Sequence, residues 1–155
     1  MKLDFALLRF CNADMTDSFE LHRQLDADTF PVADWPLCRV LLMNDTHFPW
    51  LILVPKRSGL RDFHDVAAGD EADFFGEING AARALQSLTG AEKMNVAALG
   101  NMVPQLHVHV IARFQADVAW PGPVWGQVEA VPYEGGAADD FIKRFLEHAA
   151  KEIAS

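Results

Sequence analysis

The stretch Leu106-His-Val-His-Val-Ile-Ala-Arg-Phe114 alternates with a period of two. Leu106, Val108, Val110, Ala112 and Phe114 fall on one side of an extended chain, and His107, His109, Ile111 and Arg113 fall on the other. A strand of this kind must lay its apolar side on a core, which commits the chain to a sheet. The side carrying the histidines reads as a wet outer face.

Other signals surround that strand. Cys38–Met43 and Trp50–Val54 are short apolar runs separated by Asn44-Asp45-Thr46-His47, whose Asn and Asp favour turns. They read as an antiparallel hairpin closed by Pro55. Residues 70–89 form the clearest helix, with Asp70, Glu71 and Asp73 at its positive end and Gly90 behind it. Phe74, Phe75, Ile78, Ala81, Ala82, Leu85 and Leu88 recur at helical spacing. Met94–Leu99 is a second short apolar segment, and Gly100-Asn101 a turn signal. A last amphipathic helix is expected over 138–153, with Phe141, Ile142, Phe145, Leu146, Ala149 and Ile153 on its stripe. Near the start, Asp17 or Ser18 is placed to cap a short helix bearing Phe19, Leu21 and Leu25. The prolines of Thr29-Phe-Pro-Val-Ala-Asp-Trp-Pro-Leu37 end that helix and favour extended chain. The strands neighbour one another as hairpins rather than as βαβ units. The expected class is therefore α+β, an antiparallel sheet with helices on one face, in one domain spanning all 155 residues.

Charge and cysteine content limit the partners. The formal net charge is −9, so the chain lacks the positive field that attracts a phosphate backbone, and no nucleic-acid partner is expected. Cys11 and Cys38 fit neither a disulfide framework nor a zinc spacing. Asp4 and Arg9 interrupt the N-terminal apolar run, and the longest other run, Phe48 to Pro55, is far shorter than the ~20 residues that span a bilayer. A cytoplasmic protein without a membrane partner is the expectation.

Six histidines are present. His22 and His148 lie in charged helical surroundings, His64 in a turn-like stretch, and His47 in the hairpin loop; none of these has an evident site. His107 and His109 project from one strand face ~7 Å apart, and Gln105 shares that face. Three readings are open for this group. A tolerated polar face is one. A metal site is another, although two imidazoles are incomplete for zinc. The third is a nucleophilic imidazole, since the neutral nitrogen attacks near pH 7 and forms a covalent intermediate.

Gln105-Leu-His107-Val-His109-Val-Ile111 resembles the signature of the histidine triad (HIT) family, His-φ-His-φ-His-φ-φ with φ apolar. Met43-Asn44 and Trp50-Leu-Ile-Leu-Val-Pro55-Lys56 resemble that family's hairpin, and the long helix lies where the family has one. The likeness covers residues 37–114, with 115–155 as a C-terminal extension that includes a helix.

The resemblance implies a HIT-like sheet with a long central helix, and cleavage or transfer at a nucleotide α-phosphate. It implies that His107 is the nucleophile and that His109 supports the phosphate. It places Asn44 on the ribose hydroxyls and Asn101 on the phosphate. Gln105 stands at the first triad position and Trp50 at a strand position that is histidine in many members. Gln105 can donate a hydrogen bond but cannot carry a proton across.

The expected function is thus a hydrolase acting on a nucleotide phosphoanhydride, phosphoramidate or similar bond through a nucleotidyl-histidine, with dinucleoside polyphosphates and adenylated small molecules as the candidate substrates. No metal or organic cofactor is implied. A nucleotide-binding module with little turnover and a nucleotidyl transferase are the alternatives. A nucleophile at 107 favours an enzyme over a binder, and added orthophosphate separates transfer from hydrolysis. The family also implies a homodimer through the central helix and an edge strand, and the wide apolar arc of helix 70–88 agrees with this. Trp120 and Trp125 read as core or interface aromatics.

Overall fold

The computed structural model describes residues 18–153. Asp17, Cys11 and the N-terminal apolar run lie outside the described residues. Five strands form one antiparallel sheet in the order β1-β2-β3-β5-β4. They are β1 (Thr29–Asp34), β2 (Cys38–Met43), β3 (Trp50–Pro55), β4 (Lys93–Ala97) and β5 (Val108–Arg113). Three helices accompany them: α1 (Arg23–Asp28), α2 (Glu71–Thr89) and α3 (Ala137–Ile153). The α+β architecture expected from the sequence is the one observed, with one strand more than the apolar runs had marked.

That additional strand is β1. Its residues include Pro31, which has no N–H to donate; the strand lies at the sheet edge, where the loss is tolerated, and its pairing with β2 slips between Pro31 and Ala33. The first helix also differs from expectation. It starts at Arg23, and its cap is His22, whose Nδ1 accepts the N–H of Gln24 at 3.1 Å. Ser18 to Leu21 lie outside it. Of the expected stripe only Leu25 is in the helix.

The helix α2 follows its sequence signals closely. Gly90 ends it with φ +69°, a left-handed conformation that favours glycine, and its N–H reaches the carbonyl of Gln86. Asp70 sits at the N-cap, but its carboxylate is taken by the Arg57 guanidinium at 2.7 and 2.9 Å instead of by the helix N–H groups.

The helices α2 and α3 cover one face of the sheet. Leu51 and Leu53 of β3 and Val108, Val110 and Ala112 of β5 pack there against Phe74, Ile78, Ala81, Leu85, Phe141 and Phe145. A fully buried Leu or Val contributes about 1.5–3 kcal/mol, so this face supplies much of the hydrophobic stabilisation.

The opposite face is not wet. A second apolar cluster lies on it, made of Leu41, Trp50, Ile52, Val54 and Ile111 from the strands with Leu25, Phe48, Ala119 and Val124 from the covering segments. Every residue of β5 is therefore buried. The alternation in the sequence separated two covers, not a core from solvent. Among the described residues, no helix is long and apolar enough to cross a membrane.

Candidate active site

The strand β5 and the residue before it carry His107, His109 and Arg113 onto the second face. They are 7%, 6% and 1% exposed. Burying polar side chains is costly unless each finds hydrogen-bond partners, and each of these does.

Arg113 anchors the cover. Its guanidinium makes a bidentate pair with Asp117 at 2.8 and 3.0 Å and also donates to Asn95 Oδ1 and to the carbonyl of Gly122. The ring planes of Phe48 and Trp120 lie beside it. Asp117 in turn accepts the N–H groups of Phe114 and Ala119. The Arg113 hydrogen bond, aided by these N–H groups, holds the Asp117 carboxyl below the ordinary carboxylate range. The irregular chain after β5 is thereby fastened to the strand, and it brings Val124 and Trp125 over the sheet.

The two histidines have opposite, defined tautomers. His107 Nδ1 lies 2.6 Å from the carbonyl oxygen of Gln105. A carbonyl only accepts, so Nδ1 carries the hydrogen and Nε2 holds a free lone pair. His109 Nδ1 lies 3.0 Å from the Trp50 indole Nε1, which only donates. In the neutral ring the hydrogen of His109 is then on Nε2. Burial, reinforced by the neighbouring His107, pushes the His109 pKa down to about 3. His109 is therefore a neutral imidazole at physiological pH, with Nε2–H as a fixed donor.

The register explains the Trp50 contact. Trp50 pairs with Ile111 and Ile52 with His109, so Trp50 and His109 are diagonal neighbours on one face, within reach of a long side chain. Trp125 closes the cluster, with its ring 5.2 Å from that of His109 and 5.8 Å from that of Trp50. The His107 and His109 rings are 4.9 Å apart and close to perpendicular.

His107, His109, Trp50 and Trp125 line a cavity of about 300 Å³. Leu25, Asp28 and Thr29 close it on the α1 side, and the turn Gly100–Val103 on another. Gly100 has φ +73°, and its place in that tight turn brings Asn101 to the cavity wall. Mostly apolar walls with a few convergent polar groups are typical of a small-molecule site.

Of the residues expected from the sequence, the structure brings His107, His109 and Asn101 together. It places Gln105 and Asn44 elsewhere. The Gln105 amide is engaged at both ends by the N-terminal segment: Oε1 accepts the N–H of His22 and Nε2 donates to the carbonyl of Glu20, each at 2.9 Å. It lines a separate shallow depression with Pro104. Asn44 Oδ1 accepts the N–H of Tyr133 at 2.9 Å, which ties the hairpin to the chain before α3.

His47 is bonded to Asp45, whose carboxylate also accepts the N–H of Val131. The thiol of Cys38 is buried, and burial together with Glu77 pushes its pKa up. Asp28, Gln24 and Trp125 had no signal as wall residues. Asp28 and Gln24 stand four residues apart and are bonded to each other at 2.8 Å. Trp125 reaches the site only through the path of an irregular loop. It is a cavity residue as well as a packed aromatic.

The comparisons with known proteins agree with this geometry. The HIT domain model matches residues 24–116, from α1 to just beyond β5. A histidine triad protein from Sinorhizobium meliloti 1021 is 44% identical; the match covers 84% of this chain and 97% of that one, with a TM-score of 0.83. One from Marinobacter aquaeolei VT8 is 43% identical, over 86% and 98% of the two chains, and one from Bradyrhizobium japonicum is 40% identical, over 85% and 98%; both have a TM-score of 0.83. None of the curated proteins matches the chain. A family match over more than half of the sequence, and relatives above 40% identity along nearly their full length, show that the chain belongs to the histidine triad family.

Proposed function

We propose that the protein is a nucleotide hydrolase that cleaves at the α-phosphate of an adenylated small molecule or a dinucleoside polyphosphate. The observation that carries this reading is the hydrogen bond from His107 Nδ1 to the Gln105 carbonyl, which leaves the Nε2 lone pair of a cavity-lining imidazole free. In the proposed reaction Nε2 attacks phosphorus and a nucleotidyl-histidine forms. The ring then carries a positive charge, and the Gln105 carbonyl already accepts its remaining N–H. His109 supplies Nε2–H to a phosphoryl oxygen, and because it is neutral and held by Trp50 it needs no reorganisation as charge develops. Asn101 provides a further amide at the cavity wall. The exposed carboxylate of Asp28 and the hydroxyl of Thr29 line the cavity and are suited to ribose hydroxyls, the role the family resemblance implies for Asn44.

A panel of AMP derivatives tests the reading. Release of AMP together with an adenylyl adduct mapped by mass spectrometry to His107 is the expected result. Turnover that persists in His107→Ala excludes this nucleophile. Faster AMP transfer to added orthophosphate than to water would make the protein a transferase.

The active form is proposed to be a homodimer through α2 and the edge strand β4. Phe74 is buried, whereas Phe75 on the same helix is 67% exposed, and Val96 of β4 is also exposed. A second copy covering α2 and β4 would bury both and pair the sheet edge.

A further inference from the structure

Resting on the nucleotidyl-histidine reading, we infer that this site expels only leaving groups that depart unprotonated, so that its substrates are nucleotide mixed anhydrides, acyl or phosphoryl, and not phosphoramidates. The inference comes from the groups that surround the nucleophile. Among the described residues, three titratable side chains line the cavity: Asp28, His107 and His109. His107 is the attacking base, and its one proton is directed into the backbone at Gln105. His109 has an Nε2–H, but giving that proton away would leave an imidazolate. Its Nδ1 is already occupied by the Trp50 indole, and burial holds it neutral. It can polarise an oxygen without delivering a proton. Asp28 is an exposed carboxylate that accepts from Gln24. Gln24, Thr29 and Asn101 are amides and a hydroxyl, which donate hydrogen bonds but have no proton to release near pH 7.

Gln105, the third polar residue of the signature segment, is held outside the cavity, with both ends of its amide on Glu20 and His22. His22, whose backbone N–H bonds the Gln105 amide, caps α1 through its ring Nδ1 and lines the depression beside Gln105 and not the cavity.

The chemistry then selects the substrate. The Nε2 lone pair forms the P–N bond while the bond from phosphorus to the bridging oxygen breaks. The electron pair leaves with that oxygen as a carboxylate or phosphate anion, and no proton moves. Water next attacks phosphorus, the P–N pair returns to Nε2, and the proton of the water goes to solvent. In a phosphoramidate the departing nitrogen is far more basic and must be protonated before the bond breaks, which no cavity group among the described residues provides.

Single-turnover adenylylation of the wild-type chain at pH 7.5 tests this with three compounds: an acyl-adenylate, a diadenosine polyphosphate and an N-alkyl phosphoramidate of AMP. The two anhydrides should label His107, and the amidate should label it at least about 10²-fold more slowly, the lower bound of what a positioned proton donor contributes. The amidate rate alone should climb as the pH is lowered and solvent supplies the proton. An amidate rate within about tenfold of the anhydrides overturns the inference while leaving the nucleotidyl-histidine intact. Absence of an adduct with all three overturns the nucleophile assignment and the inference with it. Gln105→Ala should lower the three rates in proportion. A change in their ratio by more than about tenfold would put Gln105 at the leaving group and overturn the inference.

Discussion

The two faces of the sheet are covered in different ways. On one face, α2 and α3 lie mainly against apolar side chains, since a helix satisfies its own backbone, and the Glu77 carboxylate of α2 accepts the N–H groups of Leu37 and Cys38. On the other, the cover is the short helix α1 and irregular chain, and irregular chain leaves backbone groups that need partners. Arg113, Asp117, Gln105 and Asn44 supply them. Polar groups are thus concentrated on the face that the long helices α2 and α3 leave open, and the cavity lies among them. The same strand, β5, serves both covers through alternate residues. The two imidazoles are placed by the rigid strand, and much of the wall of their cavity by the loops.

The sharpest way to test that division is to remove function without removing fold. His107→Ala should lower turnover on the order of 10⁴-fold or more, because a covalent nucleophile is lost. Its thermal midpoint should fall only slightly, as the side chain lines the cavity and is not part of either apolar cluster. A variant that unfolds would make His107 part of the packing and erase the distinction between strand scaffold and site.

Energetic character should differ between the faces. Arg113→Leu leaves the buried Asp117 carboxylate without its partner and should cost about 3–5 kcal/mol in urea denaturation. Replacing Asp117 by Leu as well should recover part of that loss, since the charge is removed together with its partner. On the helix-covered face, Leu53→Ala should cost about 2–5 kcal/mol as a cavity. No second polar-to-apolar change should rescue it. If the Arg113 and Asp117 losses simply add, the loop cover is held by packing like the other face.

The loop-covered face should also show itself in the pH dependence. The folded pKa of His109 is about 3 against an ordinary value of 6.5. Between those values the unfolded chain binds a proton that the folded chain does not, so stability declines as the pH falls below 6.5 and the decline ends near 3. From pH 7.5 to 5.5 this amounts to about 1.4 kcal/mol. Asp117, held low by Arg113, contributes stability that is present throughout that window and is lost only at lower pH. His109→Gln should flatten the slope between pH 7.5 and 5.5. An unchanged slope would assign it to other histidines.

The smallest effect on folding is expected from Phe75→Asp, within about 0.5 kcal/mol, because that side chain is exposed on the helix. Sedimentation should nevertheless show the mass dropping from two chains to one. A wild-type protein of one-chain mass, or a variant that stays paired, removes the proposed interface from α2.

Much of the frame was legible in the residues themselves. The hairpin of Cys38–Met43 and Trp50–Pro55, the helix closed by Gly90, and the period of two around His107 are local signals, and local backbone physics enforces them. The same holds for the candidate nucleophile, whose neighbours in sequence are its neighbours on the strand. What local signals could not carry was the cover. Periodicity separates two faces but does not say what lies on each, and the histidine face looked wet although Trp125, Ala119 and Leu25 bury it. β1 was hidden because a proline-bearing edge strand lacks a strong apolar run. Gln105 and Asn44 have the same amide chemistry wherever they point. Only the tertiary path of Glu20–His22 and of Tyr133 decided which backbone groups they bond. Trp50 became the residue that sets the tautomer of His109 because the register of β3 against β5 places its indole on the diagonal. Those outcomes depend on which distant segments meet, and a hydrogen-bonding side chain takes whichever backbone group the fold brings within 3 Å.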